Sequence, residues 1–152
     1  MATLLIVAVV TALGACSPGP ERAPEGSAEL VGTVWRWQGF QDSADGDEAS
    51  NIDVIDPEKY TLTLRPDGAA HIRADCNRSS WRYTWAGSSL AFDASGPSTL
   101  AYCGDESLSE RYLERLGHTA TYVLTDGALH LNLKLDSGNM VFVAEKATPH
   151  SR

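Results

Sequence analysis

RADCNRSSWRYTW, residues Arg73 to Trp85, decides how the rest of the chain is read. It leaves one alternating segment, with Ala70, Ile72 and Ala74 set against His71, Arg73 and Asp75, and enters another in which Trp81, Tyr83 and Trp85 share a face. Alternation of period two is the pattern of a strand with one buried face. Between the two segments lies a polar turn, Asp75-Cys76-Asn77-Arg78, so the stretch reads as two antiparallel strands whose turn carries a cysteine.

The same alternation continues outward. Upstream, Tyr60, Leu62 and Leu64 alternate with Thr61, Thr63 and Arg65, and Pro66-Asp67-Gly68 supplies the turn of a hairpin. A first strand is expected from Gly32 to Gln38, with Thr33, Trp35 and Trp37 on one face. From Gly39 to Glu58 the chain is acidic and poor in apolar residues, and it reads as a long solvated loop. Downstream, Gly87 to Ser89 turns into a short return strand, Leu90 to Phe92. One helix is expected from Ser107 to Leu116: Ser107-Leu-Ser-Glu110 fits a capping box, Leu108, Tyr112, Leu113 and Leu116 make an apolar stripe, and Gly117 suits a left-handed cap. Thr119 to Thr125, the turn Asp126-Gly127 and the alternation Leu129, Leu131, Leu133, Leu135 predict a second hairpin. Met140 to Ala144 forms the last strand. The class is α+β, with an antiparallel sheet and one packed helix.

A chain of 152 residues that is 43% hydrophobic builds one core. Its net charge of -8 opposes phosphate neutralisation, so no nucleic acid is expected as a partner. The N-terminus has an apolar run from Leu4 to Leu13, half of what a spanning helix needs, and it reads as a signal peptide over residues 1–15. No Lys or Arg precedes the run, as an upstream start codon would explain. The run ends in Leu13-Gly14-Ala15-Cys16, which resembles the bacterial lipobox and makes Cys16 the expected site of lipidation. By resemblance to proteobacterial lipoproteins, Ser17 after the cysteine points to the outer membrane, facing the periplasm. Residues 16–29 are rich in Pro, Gly, Ser and Glu and read as a lipid-anchored tether to a domain at 30–146, with a frayed tail at 147–152.

With Cys16 consumed by lipid, Cys76 and Cys103 remain, and an even pair in an oxidising compartment joins. A catalytic thiol would instead need a base held beside it, and no histidine is near either cysteine in sequence. The segment DSADGDEASN has the wrong spacing for a calcium loop, since Gln41, Ser43 and Ile52 stand where ligands belong. His71, His118 and His130 show no ligand spacing, so neither a metal nor a cofactor is expected. No nucleophile elbow or phosphate-cradling glycine loop is present. Asn77 and Asp75 read as the residues that hold the polar turn. Arg73, Arg78 and Arg82 are the alternative lead, a basic patch able to grip a phosphate or carboxylate.

Gly32-Thr33-Val34-Trp35, Tyr60-Thr61-Leu62, Asp67-Gly68, Asp75-Cys76-Asn77-Arg78 with Tyr83, Thr99 with Cys103 four places on, Leu113-x-x-Leu116 and Leu129-x-Leu131 together resemble the META domain, the HslJ-like family of bacterial envelope proteins. The resemblance runs from about Leu30 to Val143. It implies a strongly curved or barrel-like antiparallel sheet of about eight strands with one packed helix, no catalytic residues, and a loose link to envelope integrity and stress. Asp75, Asn77 and Thr99 belong to the motif it rests on. Family members usually carry Gly where Trp81 stands. A small barrel has little room for Trp35, Trp37, Trp81, Tyr83 and Trp85 together, so a binding site is expected around Trp81 and Trp85 with Arg78 or Arg82 at its rim. A non-enzymatic binding or envelope-stress role is the first expectation. The second is inhibition of a basic envelope-attacking enzyme such as lysozyme, with the contact on the acidic loop.

Overall fold

The computed structural model describes residues 27–43 and 51–145. The leader, Cys16, the middle of the acidic loop and the C-terminal tail lie outside the described residues. Within them the chain forms a single turn α1 (Ser27–Leu30), then β1 (Val34–Gln41), β2 (Ile52–Asp53), β3 (Tyr60–Leu64), β4 (Ala69–Ala74), β5 (Asn77–Ala86) and β6 (Ser89–Asp93). The helix α2 (Ser109–Gly117) follows, then β7 (Thr119–Thr125), β8 (Ala128–Leu133) and β9 (Asn139–Ala144).

All the strand pairs are antiparallel, and β3 through β9 pair each with the next. Strand β1 pairs with β3 on one side and β9 on the other, so eight strands close into a barrel. Closure is what removes the free edges that an open sheet would expose. The short β2 adds to the far half of β1, opposite Gly39 and Phe40.

Alternation puts one face of each strand inside. Trp35, Trp37, Leu62, Leu64, Ile72, Trp81, Leu90, Leu129, Leu131, Met140 and Phe142 fill the interior, all buried. The barrel is therefore a packed core, as expected when eight strands leave just enough width for side chains. Burial of indoles requires that their N–H groups be satisfied. Trp37 Nε1 donates to the Gly39 carbonyl at 2.7 Å, and Trp35 Nε1 to that of Leu30 at 3.1 Å.

Each end has its own plug. Leu30 of α1 is fully buried, and Gly32 N–H donates to the Leu64 carbonyl, tying this segment to the end of β3. At the other end α2 touches β4, β6 and β8, strands that are not neighbours. A helix reaches all three only by lying across the barrel mouth. Its apolar stripe faces inward as the sequence implies: Tyr112 and Leu116 are fully buried, with Leu108 and Leu113 packed against the core. The Tyr112 ring stacks on Trp37 at 5.0 Å between centroids and meets Tyr60 edge-on at 5.7 Å.

Three local expectations are corrected. The first strand does not stop at Gln38. A bulge between Trp37 and Gly39 shifts its register, turns Phe40 inward and carries the strand to Gln41, so the acidic loop is shorter than its composition suggests. The helix begins at Ser109, its N-cap is Leu108, and no side-chain cap forms. Tyr60 hydroxyl instead accepts the Leu108 N–H at 2.9 Å, and Gly117 is the last helical residue with no left-handed turn. Leu135 does not continue the alternation of β8. It sits at φ 60° in a tight turn and is 99% exposed, while Gly138 keeps the next turn open at φ 134°, where a Cβ would overlap the Phe40 ring.

Tyr112 hydroxyl is buried and makes no hydrogen bond among the described residues, and burial pushes its phenol well above the usual tyrosine range. An unsatisfied buried polar group is destabilising. Tyr112→Phe is expected to raise unfolding stability by about 1 kcal/mol at pH 7. The effect grows in alkali: the folded phenol keeps its proton while the unfolded one loses it near pH 10, so stability falls as pH rises through that value. Urea titrations at pH 7 and above pH 10 should show that alkaline fall in the native protein and a flatter profile in the variant.

Candidate functional site

The polar turn Asp75-Cys76 opens β5. Asp75 takes φ 59°, a left-handed conformation that Asp adopts more readily than most residues, and its N–H donates to the Lys59 carbonyl at 2.8 Å. Its carbonyl accepts Arg73 Nε at 3.1 Å. Among the described residues its carboxylate pairs with neither Arg73 nor Arg78. Asp75 therefore shapes the turn through its backbone.

Strand β5 is longer than its neighbour. Residues Arg82 to Ala86 pair with β6, which leaves Asn77 to Ser80 with an open edge. A strap over residues 96–103 covers it. Ser80 N–H donates to the Pro97 carbonyl at 3.0 Å, and Thr99 N–H to that of Arg78 at 2.9 Å. Gly96 is required at the start of the strap because a Cβ there would overlap the Ser80 carbonyl.

Asn77 is the clasp. Buried at 6% exposure, it accepts the Ala101 N–H at 2.8 Å and the Thr99 hydroxyl at 3.1 Å on Oδ1, and it donates through Nδ2 to the Ala101 carbonyl at 2.8 Å. Only an amide can both accept and donate in this way. Thr99 hydroxyl in turn accepts the Arg78 N–H at 2.9 Å, and Ser79 and Ser98 hydroxyls meet at 2.6 Å. The disulfide from Cys76 to Cys103, with Cα atoms 5.7 Å apart, fastens the end of the strap to the start of β5. The paired-cysteine reading thus agrees with the structure. Asn77 and Thr99, 22 residues apart in sequence, act together in one clasp, while Asp75 shapes the turn that leads into it.

The expected aromatic site does not assemble. Trp81 is buried at 5% exposure in the barrel core, opposite Ala70 on β4. Arg78 and Arg82 lie on the other face of β5, pointing outward as their alternation with buried Asn77, Ser79 and Trp81 requires. The guanidinium groups therefore cannot form a rim around the indoles. Trp85 is half-buried further along the strand, with Nε1 bonded to the Gly87 carbonyl and the Tyr122 hydroxyl, each at 3.0 Å.

Outside the barrel the structure forms a groove of which the sequence reading had only the basic patch of Arg73 and Arg78. It has a volume of about 600 Å³ over the outward residues of β1, β3, β4 and β5, and Pro97, Ser98 and Thr99 of the strap contribute to its lining. Thr61, Thr63, His71, Arg73, Arg78 and Ser80 point into it. Their signal in the sequence was the polar half of each alternating strand, which alone says only that the face is wet. A second cleft, of about 660 Å³, lies beside the disulfide and is lined by Asp53, Asp56, Asp75, Asp105 and Glu106. No group of carboxylates, histidines or cysteines among the described residues has the arrangement of a metal site.

Comparison with curated proteins returns no match. Two solved structures share the fold. A protein from Burkholderia xenovorans, solved by NMR, is 21% identical, with a TM-score of 0.62 over 92% of this chain and 99% of its own. A DUF4847 family protein from Bacteroides vulgatus is 12% identical, with a TM-score of 0.56 over 78% of this chain and 96% of its own. The META domain family model matches residues 28–147, which contain the barrel, the strap and its clasp, and the chain belongs to that family.

Proposed function

We propose that this META domain protein is a non-enzymatic, lipid-anchored protein of the cell envelope that binds a partner through the groove beside the strap. The groove itself carries the reading. Side chains fill the barrel interior, so a ligand must be met on the outside, and this concavity is walled by a segment fastened with a disulfide and a buried amide. A preorganised wall loses little conformational freedom on binding. The anchor rests on Leu13-Gly14-Ala15-Cys16, and the outer-membrane location on Ser17.

A photo-crosslinking residue at Ser80, in the full-length protein in intact cells, is expected to give a discrete adduct. The same probe at Val123, exposed on β7 away from the groove, should give none. Cys16→Ser should move the protein from the membrane pellet to the soluble fraction. Equal adducts at both positions would remove the groove, and unchanged fractionation would remove the anchor.

Inhibition of a basic enzyme such as lysozyme is a second reading, favoured by the acidic cleft beside the disulfide. It requires adducts at Asp105 rather than Ser80, and retention of lysozyme that falls steeply with salt.

A further inference from the structure

We infer that the groove takes a phosphate ester, gripped by Arg73 and Arg78. This rests on the groove being the binding site and adds the chemistry of what it binds. Strand register sets Arg36, Thr61, Arg73 and Arg78 in one line across β1, β3, β4 and β5, with Val34, Thr63, His71 and Ser80 in the next. Arg73 and Arg78 are direct cross-strand partners, an arrangement that destabilises a sheet when both residues carry the same charge. Among the described residues neither forms an ion pair, whereas the charge of Arg36 is met by Glu145. The chain as a whole carries -8, so this local excess of positive charge runs against its composition.

The donors are also aimed. Arg73 is steered by two backbone carbonyls, through Nε to Asp75 at 3.1 Å and through Nη1 to Glu58 at 3.2 Å, which leaves Nη2 free. The Arg78 guanidinium and the hydroxyls of Thr61, Thr63 and Ser80 form no side-chain hydrogen bond among the described residues, and all line the groove. Two uncompensated guanidinium groups match a phosphate monoester, which carries about two negative charges and three acceptor oxygens. A carboxylate would answer only one of them. Val34 and Pro97 provide apolar surface for the organic part of the ester. That part is either a soluble ester or a lipid headgroup, and the two are separated by experiment.

The test uses residues 17–152, which contain every element described. Glycerol phosphate and inorganic phosphate are titrated at low salt while backbone amide shifts are followed, and flotation is measured with vesicles containing phosphatidic acid, a lipid phosphate monoester, and with phosphatidylcholine vesicles. Saturable shifts at Thr61, Thr63, Arg78 and Ser80 are expected. Arg78→Gln should weaken binding about tenfold, the loss of one charge-assisted contact, while Arg111→Gln on the exposed face of α2 should leave it unchanged. Binding to the soluble esters assigns a soluble ligand. Binding only to phosphatidic acid vesicles, lost in Arg78→Gln, assigns a headgroup. Absence of binding to every probe, or Arg78→Gln titrating as the native protein, overturns the inference. If the Ser80 adduct in cells nevertheless persists in Arg78→Gln, the groove remains the binding site and only its phosphate chemistry is lost.

Discussion

Trp81→Gly is expected to lower the free energy of unfolding by about 4 to 6 kcal/mol, combining the loss of a buried indole with the flexibility of glycine in a strand. A small domain is stable by only about 5 to 15 kcal/mol, so the variant should be close to unfolding at ambient temperature. The resemblance read from the sequence implies the opposite, because it puts Gly at this position and makes the replacement a return to type. What makes the indole structural is its surroundings. It is buried in the core, and its cross-strand partner is Ala70, with Ala74 further along β4 also inward and fully buried. The small residues on β4 leave the volume that the indole fills, and such a core relaxes only partly when a large side chain is removed. Adding Ala70→Leu to Trp81→Gly should recover about 1 to 2 kcal/mol by returning apolar volume. Urea denaturation of the two variants decides the matter. A Trp81→Gly protein with native stability would mean that the ring contributes nothing to packing.

Removing the disulfide has the second large effect. Cys76→Ala with Cys103→Ala opens a loop with a sequence separation of 27, for which chain entropy gives a loss of about 3.5 kcal/mol. For a domain of this size the melting temperature should fall by roughly 10 to 15 °C. Asn77→Ala alone should cost about 2 to 3 kcal/mol, since it removes four hydrogen bonds from a buried site, one of them to Cys103 Sγ. Both changes release the same strap, so their effects should combine to less than their sum by about 1 kcal/mol. The thermal melts of the two parents and the triple variant measure that coupling. Full additivity would show that the disulfide and the amide act on separate parts of the fold.

Much of the wall was legible because period two is a local property: β3, β4, β5 and the β7–β8 hairpin follow directly from which residues alternate. Barrel closure was different. The pairing of β1 with β9 joins segments about a hundred residues apart, and alternation specifies a face but not a partner; only the family resemblance anticipated it. Phe40 and Leu135 were misjudged because one bulge and one positive-φ turn each break the period, and neither has a signature beyond the residues around it. The disulfide was reachable by counting cysteines. The phosphate-binding line was legible only in part: the basic patch of Arg73 and Arg78 could be read, but Arg36 and Thr61 join them only once three strand registers are fixed, and the lead built on Trp81 failed because it placed rings and guanidinium groups on the same side of one strand.

Closure between the first and last strands also constrains when the molecule can exist. As the chain emerges from its N-terminus, β1 can find β3 early, yet its other edge stays unpaired until residues Asn139–Ala144 have been made. Until that strand is available the chain can form at most an open sheet with a hydrogen-bonding edge exposed, the state most prone to pair with another copy. Contacts of such sequence separation also form slowly. The final strand thus acts as a latch: a chain cut short before Asn139 should collect in aggregates, whereas one cut after Glu145 has every strand it needs to shut.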